Sequence, residues 1–249
     1  MVLTREPRTN ALGQPIGWPL DVALPRPRPH KAPMQGRFCT LEPADPEAHA
    51  ASLFEAFATS TDDRIWTYLP YGPFDSAQAL ADWMRATCLG DDPMFFTVRE
   101  AGKGQCLGLA SYLRIDPGNG SVEVGHINFS PLVQRTPMAT EAMFLMADHA
   151  MTGLGYRRYE WKCDALNAPS RAAAERLGFL YEGTFRQATH YKGRNRDTAW
   201  FALTDGDWPR VRTALQAWLA AENFDAEGRQ RCSLAEIRDA ESAGAREET

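Results

Sequence analysis

Long hydrophobic runs are missing from this sequence of 249 residues. No stretch approaches the roughly 18 consecutive apolar residues that a membrane-spanning helix requires. The N-terminus also lacks the charged and then apolar segments of a secretory signal. We therefore expect a soluble, cytoplasmic protein with no membrane partner.

Metal-binding and disulfide patterns are missing as well. The five cysteines are odd in number and widely scattered, and neither they nor the five histidines have the spacing of a metal site. A surplus of positive charge is also lacking, because the formal net charge is −5. We expect free thiols in a reducing compartment, no metal and no nucleic-acid partner.

The composition is that of an ordinary globular protein, with 44% hydrophobic and 24% charged residues. We predict a proline-rich arm at residues 1–34, one folded domain at residues 35–220, and a partly disordered extension at residues 221–249. Prolines between Pro25 and Pro29 exclude a helix there. The arm either wraps its own domain or contacts a neighbour, so a homodimer stays open, as does the hypothesis that this is mainly an assembly protein.

Hydrophobic periodicity and turn signals predict a mixed α/β series of seven strands and five helices, typical of the α+β class. Short turns between successive strands favour antiparallel pairing, whereas the helix between the fourth and fifth strands favours a parallel β-α-β unit. The predicted strands lie near residues 37–42, 94–100, 105–115, 121–129, 158–164, 180–191 and 197–204, and the helices near 46–58, 76–89, 137–154, 170–177 and 208–219.

Two segments in this β-α-β region carry the signals for function. At the first, Thr136 can cap a helix that begins with Pro137, and the unpaired N–H groups of such a helix start suit a pyrophosphate. The second places Asn167 at the end of a strand and Ser170 at a helix start, with Gly178 closing the helix. Each pattern alone is also typical of an ordinary helix cap.

Taken together, the second segment resembles a known family. Asn167-x-x-Ser170, Glu175-x-Leu-Gly-Phe179 and Glu182-Gly183 are similar to a signature of the GNAT acyltransferase superfamily, in the branch of ribosomal-protein N-terminal and small-amine acetyltransferases. Ala139-Thr-Glu-Ala142 resembles the helix that follows that family's phosphate loop. The resemblance implies a mostly antiparallel sheet whose fourth and fifth strands splay apart to admit pantetheine, with acetyl-CoA as co-substrate.

The resemblance also implies roles for individual residues. The backbone from Ile127 to Phe129 would hold the acyl carbonyl in the manner of an oxyanion hole. Asn167 and Ser170 would lie near the pantetheine and the thioester, and Ser170 would replace the family's usual tyrosine acid, because Ala174 occupies that position. The residues implied to contact the phosphates are Gln134, Arg135, Thr136, Met138, Ala139 and Thr140. Pro137 departs from the family's glycine and removes one N–H donor.

The acceptor side is less defined by the sequence. Transfer to an amine benefits from a base, because alkyl amines are protonated at neutral pH. Glu123 is the first candidate, and His126 and His190 are alternatives. Strand alternation places Glu123 and His126 on opposite faces unless a bulge intervenes. We predict that Trp66, Tyr68 and Tyr71, with His126, line the acceptor pocket, although the three aromatic residues are equally suited to packing.

Two hypotheses for the function follow. The first is an N-acetyltransferase that moves acetyl from acetyl-CoA to a primary amine, on a small molecule or a protein N-terminus, by direct attack. The second is a catalytically inactive acyl-CoA-binding module that acts through a partner. Its support comes from Pro137, Ala174 and Thr189, which depart from the family pattern.

Overall fold

One eight-stranded sheet organises residues 7–247, which are the residues that the computed structural model describes. The strands are β1 (Arg8–Thr9), β2 (Pro15–Ile16), β3 (Met34–Gln35), β4 (Cys39–Pro43), β5 (Met94–Glu100), β6 (Cys106–Asp116), β7 (Ser121–Phe129), β8 (Arg158–Asp164), β9 (Leu180–Tyr191) and β10 (Arg194–Thr204). The helices are α1 (Pro46–Phe57), α2 (Ala77–Thr87), α3 (Pro137–Asp148), α4 (Ala168–Arg176), α5 (Trp208–Leu219) and α6 (Leu234–Glu247).

The sheet order is β3-β4-β5-β6-β7-β8-β10-β9, and every neighbouring pair is antiparallel except β7 with β8. This order confirms the predicted mixed fold, with its parallel pair at the fourth and fifth predicted strands. The predicted number of seven strands is too low by one. The extra strand is β3, which lies at the edge next to β4.

Glu141 on α3 explains why this edge strand forms. Its buried carboxylate accepts three backbone N–H groups, from Arg37 and Phe38 in the turn between β3 and β4 and from Cys39 at the start of β4, at 2.8, 2.6 and 2.8 Å. These bonds give the three N–H groups an acceptor and hold β3 in register with β4. A two-residue strand is too short to show a period, so the sequence did not indicate it.

Helices cover both faces of the sheet and create two apolar clusters. Helices α1 and α2 pack over one face, where Leu53, Leu80 and Phe95 are buried. We call this the α1/α2 face. On the other face, α3 and α5 cover the larger cluster, which includes Val124 and Trp161. Because successive residues of a strand alternate between faces, the neighbours of Val124 and Trp161 lie on the α1/α2 face.

Several element boundaries differ from the predicted ones for local reasons. Helix α4 begins at Ala168, because Asn167 is its N-cap and accepts the N–H of Ser170 at 3.2 Å. The β9–β10 hairpin has only two turn residues, Lys192 and Gly193, both with positive φ of 47° and 70°. That conformation matches the twist of the two strands, so β10 starts earlier than predicted.

The described part of the N-terminal arm contacts its own domain. β1 and β2 form a small hairpin, and further along Lys31 Nζ donates to the carbonyl of Leu89 at 2.6 Å, while the backbone N–H of Arg26 donates to Pro117 at 2.9 Å. At the other end, α6 packs on α5 and buries Leu234. Parts of the predicted arm and of the predicted disorder, residues 1–6 and 248–249, lie outside the described residues.

Candidate active site

A gap opens between the two parallel strands at the centre of the sheet. β7 and β8 pair from Ser121 to Val124 only, where Val124 faces Trp161. Beyond that point β7 continues to Phe129 and stays paired with β6, whereas β8 pairs with β10. The edge of β7 from Gly125 to Phe129 therefore faces away from β6 without a partner from β8, which is the predicted splay of the two strands.

A bulge in β7 changes which face His126 occupies. Between two successive pairings, Ser111 with Gly125 and Leu109 with Asn128, the chain advances by three residues on β7 but by only two on β6. His126 lies in this bulge and has a left-handed φ of 50°. Its ring lies 5.0 Å from Phe95 and 5.7 Å from Tyr71, measured between centroids. His126 and Glu123 consequently share the α1/α2 face, which simple alternation would not allow.

At one end of the gap lies the start of α3, the predicted phosphate site. Thr136 is the N-cap residue as predicted, but its hydroxyl donates to the carbonyl of Val133 at 2.6 Å and makes no cap bond. The backbone N–H groups of Met138 and Ala139, in the first helical turn, have no intrahelical acceptor. They remain available to an anion, together with the exposed side chain of Arg135.

Other residues of this segment serve the protein itself. Gln134 Nε2 donates to the carbonyl of Phe129 at 2.7 Å, which ties the helix start to the end of β7. Thr140 is buried, and its hydroxyl accepts a hydrogen bond from Arg176 at 3.0 Å. Met138 is buried as well. A ligand at this helix start would therefore meet the backbone N–H of Met138 and neither of these two side chains.

The start of α4 places Ser170 beside β8. Trp161 Nε1 donates to Ser170 Oγ at 3.0 Å, so the proton of the serine hydroxyl is directed to another acceptor. Cys163 is one such neighbour, and burial raises the pKa of its thiol while the Ser170 hydroxyl opposes that rise. Ala174, at the position of the family's tyrosine, is fully buried. Ser170 is thus the hydroxyl that α4 presents at this point.

Glu123 belongs to a chain of alternating charges on the α1/α2 face. Its carboxylate lies 2.8 Å from Arg114 Nη1 and 2.9 Å from Lys162 Nζ, and Lys162 also lies 2.7 Å from Glu160. Arg158 continues the chain, 2.6 Å from Glu160. Burial raises the pKa of Glu123 against the opposing effects of Lys162 and Arg114. The sequence did not indicate this chain, because its members come from different strands.

His126 has a different electrostatic environment. Burial lowers its pKa to about 4, and the positive charges of Arg114 and Arg196 contribute in the same direction. The imidazole is therefore neutral at pH 7. A base with so low a pKa is poorly matched to a protonated amine, so a hydrogen-bonding role suits His126 better. The third candidate base, His190, is exposed on β9.

The predicted acceptor-site aromatics have three different environments. Trp66 is buried against Phe57 and Phe74, with ring centroids 5.0 and 5.5 Å apart, and so belongs to the core. The hydroxyl of Tyr68 donates to the carbonyl of Leu166 at 3.1 Å, bridging to the loop before α4. The ring of Tyr71 contacts two other predicted site residues, since it meets Trp66 edge-on at 6.3 Å between centroids and stacks on His126.

The β9–β10 hairpin contacts the segment between α1 and α2, which the sequence did not predict. Lys192 Nζ donates to the carbonyl of Trp66 at 2.9 Å, and Arg194 Nη2 donates to that of Thr67 at 2.7 Å. The Tyr191 hydroxyl donates to Asp164 at 2.7 Å. These contacts fix the hairpin tip across the segment between α1 and α2. The only signal in the sequence was the basic composition of this turn.

Two features are absent from the described residues, a metal-binding cluster and a membrane-spanning helix. No group of three or more His, Cys, Asp or Glu side chains could hold a metal ion within residues 7–247. No helix in the same part of the chain is long and apolar enough to cross a membrane.

Comparisons with known proteins agree with this geometry. The model of the acetyltransferase (GNAT) domain family matches residues 39–180. A GCN5-related N-acetyltransferase from Brucella melitensis superposes with a TM-score of 0.85 at 44% identity, covering 88% of this chain and 100% of that one. A GNAT-family structure from Chromobacterium violaceum superposes with a TM-score of 0.71 at 42% identity, covering 78% of this chain and 96% of that one.

Sequence comparison alone gives the same family. An uncharacterised N-acetyltransferase, p20, of Bacillus licheniformis is 25% identical over 146 residues, which are 57% of this chain and 82% of the relative. The chain belongs to the GNAT acetyltransferase family, as the resemblance in the sequence implied, and its enzyme class is that of the acetyl-CoA-dependent N-acetyltransferases.

Proposed function

We propose that this enzyme transfers acetyl from acetyl-CoA to a primary amine, on a small molecule or a protein N-terminus, by direct attack. The observation that carries the proposal is the gap between β7 and β8, which leaves the backbone of β7 from Gly125 to Phe129 open on one side. The free N–H groups at the start of α3 add a site for phosphates. Both features suit the length and chemistry of coenzyme A.

The residues divide between the two sides of the reaction. In the proposed step, a nitrogen–carbon bond forms while the carbon–sulfur bond of the thioester breaks, the amine loses a proton and the leaving sulfur gains one. Ser170 donates the proton to sulfur, because its oxygen already accepts from Trp161 and its hydroxyl proton is left to donate. Backbone N–H groups of Ile127 to Phe129 stabilise the developing negative charge on the carbonyl oxygen.

Glu123 is the proposed acceptor of the amine proton. It lies on the α1/α2 face with His126, and its raised pKa brings it closer to the range that suits a general base near neutral pH. Replacing Glu123 by Gln should lower kcat about a hundredfold or more and remove the acidic limb of the pH profile. Loss of thermal stability with unchanged kcat would instead make Glu123 a purely structural residue.

Release of free thiol from acetyl-CoA tests the function directly. We expect turnover above hydrolysis with at least one member of a panel of peptides, polyamines, amino acids and amino sugars. Stabilisation of the protein by coenzyme A without turnover of any amine would contradict the proposal. That result would favour the alternative, an acyl-CoA-binding module that acts through a partner.

A further inference from the structure

Three cationic residues at the tip of the β9–β10 hairpin differ in what they bind. Lys192 and Arg194 each donate to a backbone carbonyl between α1 and α2, at 2.9 and 2.7 Å. Arg196 is half-buried and has no such acceptor: its Nε is buried without a hydrogen-bond partner, and the Tyr191 ring lies 5.9 Å from its guanidinium carbon. A buried guanidinium N–H without a partner is unfavourable, so this side chain is incompletely satisfied by the protein.

The carboxylates nearest to Arg196 along the sheet, and the buried Glu123 further on, are already engaged. Asp164 accepts the hydroxyl of Tyr191 at 2.7 Å, and Asp197 accepts the backbone N–H of Gln187 at 2.7 Å. Glu123 pairs with two other cations. None of the carboxylates in the described part of the chain forms an ion pair with Arg196. Its charge is therefore available to an anion that arrives from solution.

The location of Arg196 connects this charge to the proposed reaction. Strand β10 runs beside β8, and Arg196 lies just beyond the last residue pair of the two strands, Thr198 with Asp164. Its charge acts both on His126 of β7 and on Cys163 of β8, where in each case burial is the larger influence on the pKa. Arg196 is thus close to both strands that border the gap, on the hairpin that closes the acceptor side.

We infer that Arg196 binds a carboxylate of the acceptor, so that the substrates of this enzyme are amines that also carry a carboxylate group. This inference rests on the proposed function and specifies the substrate class of the same site. A guanidinium matches a carboxylate because its planar fork can donate two parallel hydrogen bonds. Such an acceptor would place its amine toward the gap while its carboxylate is held by the hairpin.

Matched acceptors and matched variants test the inference. The acceptors are an amino acid, its amide, the corresponding decarboxylated amine and the corresponding aminophosphonate. The variants are Arg196→Met, Arg196→Lys and, as a control, Arg186→Met, which removes one positive charge from an exposed position on the same hairpin. For each combination kcat and KM are measured, together with the KM for acetyl-CoA and the thermal unfolding of the protein.

We expect the wild-type enzyme to prefer the amino acid over its amide and amine by about tenfold to a hundredfold in kcat/KM, which corresponds to a charge-assisted hydrogen bond. Arg196→Met should abolish this preference through the acceptor KM and leave the KM for acetyl-CoA unchanged. Arg196→Lys should retain part of it, and Arg186→Met all of it. Equal use of the three acceptors by the wild type, or a preference that survives Arg196→Met, would overturn the inference.

Two further outcomes distinguish a carboxylate site from a phosphate site, and the carboxylate site from the proposed acetyl transfer. Preference for the aminophosphonate over the amino acid would show that the anion is a phosphate group, and the carboxylate would be rejected. If no amine is acetylated, calorimetric titration of an N-acetyl amino acid in the presence of coenzyme A decides. Binding that Arg196→Met weakens would support the carboxylate site although the proposed transfer fails, and absence of binding would reject both.

Discussion

The proposed donor and acceptor regions of this enzyme are built from different kinds of groups. The donor region consists of the β7 edge and the starts of α3 and α4, and it offers mainly backbone N–H groups and one serine hydroxyl. The acceptor region consists of the α1/α2 face, the β7 bulge and the β9–β10 hairpin, and it offers side chains that carry charge. A backbone site tolerates changes of side chain, whereas a charged site depends on each partner.

The largest expected effect is a loss of stability when Lys162 is replaced, because the buried charges depend on it. Its side chain is only 8% exposed, and it lies between Glu123 and Glu160 and over the ring of Trp200. Replacing Lys162 by Met leaves two carboxylates without their shared cation and should lower the free energy of unfolding by about 3–5 kcal/mol. Urea unfolding measures the change.

A matched control lies at the exposed end of the same charge chain. Glu182 pairs with Arg158 but is 41% exposed, so Glu182→Gln should change stability by less than about 1 kcal/mol. Equal effects of the two substitutions would show that the acceptor region does not depend on a buried charge chain, and the contrast between the two regions would be lost.

The next largest effect concerns His126 and the change of protein stability with pH. Its pKa is lowered to about 4 in the folded protein, so the fold favours the neutral imidazole. The associated stability is present above the ordinary histidine pKa of about 6.5 and is lost as the pH falls through about 4. Asparagine at this position adopts positive φ readily and does not titrate. His126→Asn should therefore lose up to about 3 kcal/mol less stability between pH 7 and pH 4.

Urea unfolding at a series of pH values measures that difference, and an NMR titration of the imidazole locates the pKa independently. Parallel curves for the wild type and His126→Asn would mean that burial and the charges of Arg114 and Arg196 do not act on this ring. The acceptor region would then be less electropositive than its geometry indicates.

In the donor region, Ser170 should affect the rate and leave stability nearly unchanged. Ser170→Ala removes the proposed proton donor to sulfur and should lower kcat about a hundredfold, which is the lower range for general acid catalysis. The side chain is partly exposed, and only its contacts with Trp161 and Cys163 are lost. Steady-state kinetics and thermal unfolding check both parts. A kcat within about threefold of the wild type would exclude Ser170 as the acid.

Pro137 should give the smallest effect. Pro137→Ala restores an N–H group at the first position of α3, which can add one hydrogen bond of about 1 kcal/mol to a phosphate. The KM for acetyl-CoA should fall about fivefold. Pro209→Ala is the control, because Pro209 also lies in the first turn of a helix, as the second residue of α5, away from the gap. An unchanged KM in Pro137→Ala would mean that this amide does not face the phosphates.

The sequence predicted the proposed donor region better than the proposed acceptor region. The donor elements follow from residues that are close in sequence: Thr136 with Pro137 marks one helix start, and Asn167 with Ser170 the other. The His126 bulge could not be predicted, because it appears only as a register shift between β6 and β7. The roles of Trp66 and Thr140 were also hidden, since both depend on which distant residues cover them.

The sequence by itself determined the order of the elements, the parallel pair and the family, because periodicity, caps and turns are local properties of the chain. Only the tertiary structure decided which charges meet. Arg114, Glu123, Lys162 and Glu160 come from three strands and form one chain of ion pairs, while Arg196 comes from a fourth strand and has no carboxylate partner among the described residues. The physical reason is that an ion pair depends on distances across the sheet, and those distances exist only once the strands have paired.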